Sequence, residues 1–208
     1  MGKTNDDRGD GDRAPTAGSD YTDRLRRLEG ARWKQLLDVQ APYRWNVRRL
    51  NLGRTLDVGC GLGRNLAHLN GNGVGVDHNA ESVAAARSRG FEAYTVEEFL
   101  RSPRAMPGSF DSMLVAHVVE HMQAEDALAL IGSYLPYLVP GAQVCFITPQ
   151  EAGYRSDVTH VRFVDLAGLS VLSRQLGLRV QKGYSFPFPR TFGKVFRYNE
   201  FVLVARRD

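Results

Sequence analysis

The stretch Thr55-Leu-Asp-Val-Gly-Cys-Gly-Leu-Gly-Arg-Asn-Leu66 decides the fold. Thr55 to Val58 reads as a buried strand, the glycines at 59, 61 and 63 as a tight turn, and Arg64 as the opening of a helix. Without a Cβ, glycine lets the backbone turn sharply and come close to a ligand. A strand, a glycine loop and a helix N-terminus are how doubly wound folds hold nucleotide-like cofactors. About twenty residues on, Gly73-Val-Gly-Val-Asp-His78 supplies a second strand ending in an acid, Asp77. A carboxylate there can accept hydrogen bonds from both hydroxyls of a ribose.

Two cofactors suit this layout. The dinucleotide fingerprint is G-x-G-x-x-G, whereas here the glycines run 59, 61, 63 and Arg64 stands where a third, packing glycine belongs. The stretch resembles motif I of the class I S-adenosylmethionine (SAM)-dependent methyltransferases, a D-x-G-C-G-x-G pattern. That resemblance implies SAM held by Asp57, Gly59, Gly61, Gly63, Asp77 and His78, with Val96, Glu97 and Ala116 contributed by later strand ends. A glycine turn without a ligand leaves Asp57 and Asp77 unexplained.

From there the chain alternates strand and helix, the signature of a parallel sheet with helices on both faces. A helix runs from Arg64 to about Leu69, and another from Ala80 to Arg89 is closed by Gly90. Phe91 to Val96 reads as the third strand, Phe110 to Ala116 as the fourth, and 126–138 as a helix ending at Pro140-Gly141. Gln143 to Thr148, Val180 to Phe186 and Glu200 to Ala205 complete seven strands. The resemblance implies an α/β doubly wound sheet of order 3-2-1-4-5-7-6 with one antiparallel strand.

Residues 1–20 lack apolar periodicity and read as a disordered tail. The rest, 21–208, reads as a single domain whose segment 21–52 forms a helical cap. Tyr21, Trp33 and Trp45 are lid candidates there, though core packing is the stronger reading for each. At 208 residues and 43% hydrophobic, the chain can bury one sizeable core. There is no apolar run of membrane-spanning length and no secretory leader, and Cys60 and Cys145 lack zinc spacing. A cytoplasmic protein with reduced thiols and no membrane partner is expected. Residues 151–208 carry ten basic and five acidic side chains, which fits an anionic partner, but a solvated surface explains it better.

A second constellation follows the fourth strand, at Ala116-His-Val-Val-Glu-His-Met122. A helix starting here would put His117, Glu120 and His121 on one face. His160, in the loop after the fifth strand, opens on the same sheet edge. The trio resembles the E-x-x-E-H segment of metal-dependent O-methyltransferases, including small-RNA 2′-O-methyltransferases and the ubiquinone-pathway enzymes. The resemblance implies a Mg²⁺ site at Glu120, His121 and His160, with Mn²⁺ as a substitute. His117 replaces the first glutamate of that segment and is left to act as the base. H-x-x-E-H also marks one class of zinc peptidase, but that motif needs a long helix and a distant glutamate ligand. Two imidazoles and a carboxylate suit Zn, Mn or Fe better than Mg, and a metal-free helix cap paired with arginines is the competing reading.

The acceptor is less legible. Tyr154-Arg-Ser-Asp157 and the stretch Phe186 to Tyr198 are aromatic and basic, suited to a sugar ring, to an RNA base, or to hairpin or dimer packing. The small size and arginine bias resemble the mycobacterial methylmannose-polysaccharide O-methyltransferases. A sugar or oligosaccharide hydroxyl, a mannoside included, is the expected acceptor. A quinone-like phenol or RNA 2′-hydroxyl is the alternative, and a non-catalytic SAM-binding protein the third. Nucleic acid is not favoured, and a homodimer is allowed.

Overall fold

β-Branched and apolar runs between glycine turns become the strands of a single sheet. The structure is a computed structural model that describes residues 40–208. The tail at 1–20 and the lid candidates Tyr21 and Trp33 lie outside the described residues. The strands are β1 (Thr55–Val58), β2 (Gly73–Asp77), β3 (Ala93–Thr95), β4 (Phe110–Ala116), β5 (Leu138–Pro149), β6 (Leu178–Phe186) and β7 (Glu200–Arg207). Their order is β3-β2-β1-β4-β5-β7-β6, as expected. Strands β1 to β5 pair in parallel, while β7 runs antiparallel to both β5 and β6.

Side chains alternate across the pleat, so neighbouring residues serve two cores. Met113, Val115, Val144 and Phe146 join one cluster with Ile131 and Leu169. Leu114, Ala116, Cys145 and Ile147 join the other, under Val47 of α1 (Ala41–Arg49) and Leu50, the residue that follows it. Between strands come α2 (Arg64–His68), α3 (Ala80–Ser88), α4 (Val96–Arg101), α5 (Ala124–Tyr134), α6 (Glu151–Tyr154) and α7 (Leu166–Gln175). Asn79 caps α3 by accepting from Ser82 N at 3.0 Å, satisfying a donor the helix leaves open. Both cysteines are free and buried.

Three expectations are corrected. The third strand stops at Thr95, because Thr95 and Glu98 form a capping box that starts α4 at Val96. The helix expected to reach Leu138 ends at Tyr134, where Leu135-Pro-Tyr137 tightens into a 3-10 turn. Pro140 and Gly141 do not end a helix: they lie in β5, in an irregularity between the Phe110–Leu138 and Ser112–Gln143 pairings. Trp45 is a surface residue, stacked on Phe186 and covered by the Arg49 guanidinium.

Parallel pairing brings the C-terminal ends of β1 to β5 to one edge. Because β7 is antiparallel, its first residue, Glu200, reaches that edge too, opposite Pro149.

Candidate active site

Beside β1, Gly59 and Gly63 take left-handed φ values of +75° and +81°, which only glycine adopts freely. A Cβ on Gly59 would overlap Val118 Cγ2, and one on Gly63 would meet the Phe91 ring. The loop folds back on Asp77: Gly61 N donates to Oδ2 at 2.8 Å and Asn79 N to Oδ1 at 2.9 Å. Each oxygen keeps a further lone pair for a ribose hydroxyl. His78 lies 3.4 Å from Asp77 and is exposed.

Asp57 sits beneath this loop, fully buried, with neither carboxylate oxygen hydrogen-bonded. Burial and the charge of Asp77 push its pKa up to about 7, with the nearby Asn65 side chain pulling the other way. Two buried carboxylates held close together are costly. A cofactor carrying a sulfonium and an ammonium relieves that cost, so these residues fit SAM. Ala116 ends β4 buried, Val96 is half-buried, and Glu97 is exposed in the first turn of α4. All three lie on the same edge as the loop.

His117 departs from expectation in both backbone and role. Its φ is +59°, rare outside glycine, and its N–H bonds to Ile147 O at 2.9 Å. The turn after it, Val119–His121, is a single 3-10 turn, so no helical face aligns the trio. The left-handed kink instead folds the ring over Glu120. His117 Nδ1 lies 3.2 Å from Glu120 Oε1, and Nε2 lies 2.9 Å from Glu200 Oε1. Burial alone would lower its pKa, but hydrogen bonds to the two carboxylates and their charges raise it to about 10. With both nitrogens carrying protons at neutral pH, His117 has no lone pair to act as a base. It is a cationic bridge between two acids.

Glu120 is fully buried, and its second oxygen, Oε2, has no hydrogen-bond partner. His121 Nδ1 faces Thr159 O at 3.1 Å and His160 Nδ1 faces Tyr154 O at 2.8 Å. A carbonyl only accepts, so each Nδ1 carries hydrogen and each Nε2 keeps its lone pair, the tautomer of a metal ligand. Burial outweighs the pull of Glu120 and keeps the His121 pKa below the ordinary range. One ligand atom from each of Glu120, His121 and His160 falls within 4.8 Å of the others. The loop holding His160 is pinned to this turn by Val161 N and Arg162 N, both donating to Glu120 O. The Tyr154 ring stacks on His160 at 5.4 Å. The three residues fit a divalent cation, with two nitrogens and one oxygen as donors.

Glu200 was not foreseen, and neither was the buried network behind it. Gln150 Nε2 donates to Glu200 O at 2.9 Å and to Ser185 Oγ at 2.6 Å, and Asn199 Nδ2 donates to Gln150 Oε1 at 3.1 Å. In sequence Glu200 is only the first residue of a strand; the β5–β7 pairing makes it part of the site. Tyr43 of α1 donates to Tyr198 O at 2.6 Å, tying the N-terminal helix to the same loop.

Residues 56–146 match the family model described as a methyltransferase domain. No curated protein matches the chain in sequence. A SAM-dependent methyltransferase from Archaeoglobus fulgidus superposes with a TM-score of 0.65 at 18% identity, over 90% of this chain and 99% of its own. One from Thermotoga maritima gives 0.66 at 16%, over 90% and 98%. Magnesium protoporphyrin IX methyltransferase from Synechocystis PCC 6803, solved with bound S-adenosylhomocysteine (SAH), gives 0.64 at 17%, over 94% and 97%. These likenesses show the fold, that of the SAM-dependent methyltransferases.

Proposed function

We propose that this chain, which has the fold of the SAM-dependent methyltransferases and matches a methyltransferase domain over residues 56–146, transfers a methyl group from SAM to a hydroxyl oxygen with the help of a divalent cation. The observation that carries this reading is the buried, unpartnered Oε2 of Glu120 beside two histidines whose Nδ1 protons are already committed to carbonyls.

SAM supplies an activated methyl group on a sulfonium. Asp57 and Asp77 provide the negative field for it, and the loop at Gly59, Gly61 and Gly63 allows close approach. A divalent cation lowers the pKa of a hydroxyl that touches it. Glu120, His121 and His160 are its proposed ligands, and this donor set ranks Mn²⁺ above Mg²⁺. His117, fixed between Glu120 and Glu200, holds Glu120 in place rather than taking the acceptor's proton. A hydroxyl acidified by the cation would release that proton to water, and its oxygen would take the methyl from the sulfonium with SAH as the leaving group. In-line displacement then depends on positioning, which rigid strand ends supply.

The acceptor we propose is a sugar or oligosaccharide hydroxyl. Exposed Phe188 and Phe192 beside the site favour a second reading, a phenolic or quinone-like ring. Methyl transfer should be measured across mannosides, catechols and RNA 3′ ends after EDTA treatment, with Mn²⁺ or Mg²⁺ added back. Activity lost to EDTA and restored by metal on one acceptor class is the expected result. Activity indifferent to EDTA would remove the metal from the mechanism.

A further inference from the structure

Among the described residues, eleven large apolar side chains are exposed, and seven of them lie in two segments, 155–163 and 187–198. These segments follow β5 and β6 and flank the site just described. The most exposed are Val158 at 95% and Val195 at 80%. They form one lip: Arg155 Nη2 donates to Lys194 O at 3.1 Å, and Arg190 pairs with Glu151. Phe188 packs against Phe192 and Phe196 at 5.4 and 5.2 Å, which holds the second segment in shape from within.

The charges of the lip are mostly positive. Segment 187–198 has Arg190, Lys194 and Arg197 and no acid. In 155–163 the one acid, Asp157, accepts from Thr159 Oγ1 at 2.6 Å. We propose that this lip docks the protein on an anionic lipid surface, with Val158, Val195 and Phe192 entering the headgroup–acyl boundary and Lys194 and Arg197 meeting lipid phosphates. Exposed apolar tips interleaved with cations suit that surface. They do not suit a symmetric contact with a second copy, which would set the same cations against each other. The expectation of no membrane partner rested on the lack of a spanning segment, and among the described residues no helix is long and apolar enough to cross a membrane. Surface docking needs none.

The test is sedimentation of the full chain with phosphatidylcholine vesicles, with and without phosphatidylglycerol. Binding to the phosphatidylglycerol vesicles that weakens with salt is expected. Reversing two charges, Lys194→Glu with Arg197→Glu, should lower the partition at least roughly tenfold. Val195→Asp with Val158→Asp should do the same while the melting temperature stays unchanged, since both positions are exposed. No binding to anionic vesicles, equal binding to pure phosphatidylcholine, or binding that neither double variant reduces would overturn the proposal. So would a dimer in size exclusion that the aspartate variants dissociate while vesicle binding is absent.

Discussion

His117 Nε2 lies 2.9 Å from Glu200 Oε1 across 83 residues of sequence, and its other nitrogen faces Glu120. This bridge connects the antiparallel strand β7 to the turn that carries two of the candidate metal ligands, Glu120 and His121. Groups that orient a ligand in this way typically govern metal affinity by 10–100-fold. Glu200→Gln is therefore expected to weaken Mn²⁺ binding by about tenfold without removing it, as read by calorimetry.

The same bridge sets a pH dependence. The pKa of His117 is raised from 6.5 to about 10, so its contribution to stability is complete below pH 6.5 and is lost as pH rises through about 10. Between pH 7 and pH 10 the wild-type melting temperature should fall more steeply than that of His117→Gln. Parallel slopes would show that the ring is neutral in the folded protein.

Asp57 has the opposite consequence for an acid. Its folded pKa, about 7, lies above the reference 3.8. Burying its charge therefore costs little near pH 4, and the cost grows until pH 7, reaching the order of 4 kcal/mol. Asp57→Asn should stabilise the ligand-free protein more at pH 8 than at pH 5. The same variant should weaken SAH binding at least about tenfold, because the field facing the cofactor is halved.

Gly59→Ala tests the loop. A left-handed backbone costs a residue with a Cβ roughly 1–2 kcal/mol, and here the methyl also overlaps Val118. Loss of SAH binding with a lowered melting temperature is expected. Unchanged SAH affinity would place the cofactor elsewhere.

Much of this was legible in the sequence because it is local. The motif at 55–66 and Asp77 carry their own turn and strand signals, so loop, acid and strand order all appear where expected. Glu120, His121 and His160 come together because two successive strand ends open on one edge. The spacing of His117 suggests a helix, whereas its left-handed φ and its partner Glu200 depend on tertiary contacts. The boundary near Pro140 shifted for a related reason: strand pairing with Phe110 outweighed the turn signal of Pro-Gly. Glu200, Gln150 and Asn199 carry no pattern in sequence, since their network forms only when β5, β6 and β7 pair.

The most direct measurement is Mn²⁺ binding to the whole protein, followed by electron paramagnetic resonance, for wild type and Glu120→Gln. One bound Mn²⁺ per wild-type chain is expected, with affinity reduced at least about a hundredfold in the variant at unchanged fold. No Mn²⁺ binding to wild type, or equal binding to both proteins, would contradict a metal centre at Glu120, His121 and His160.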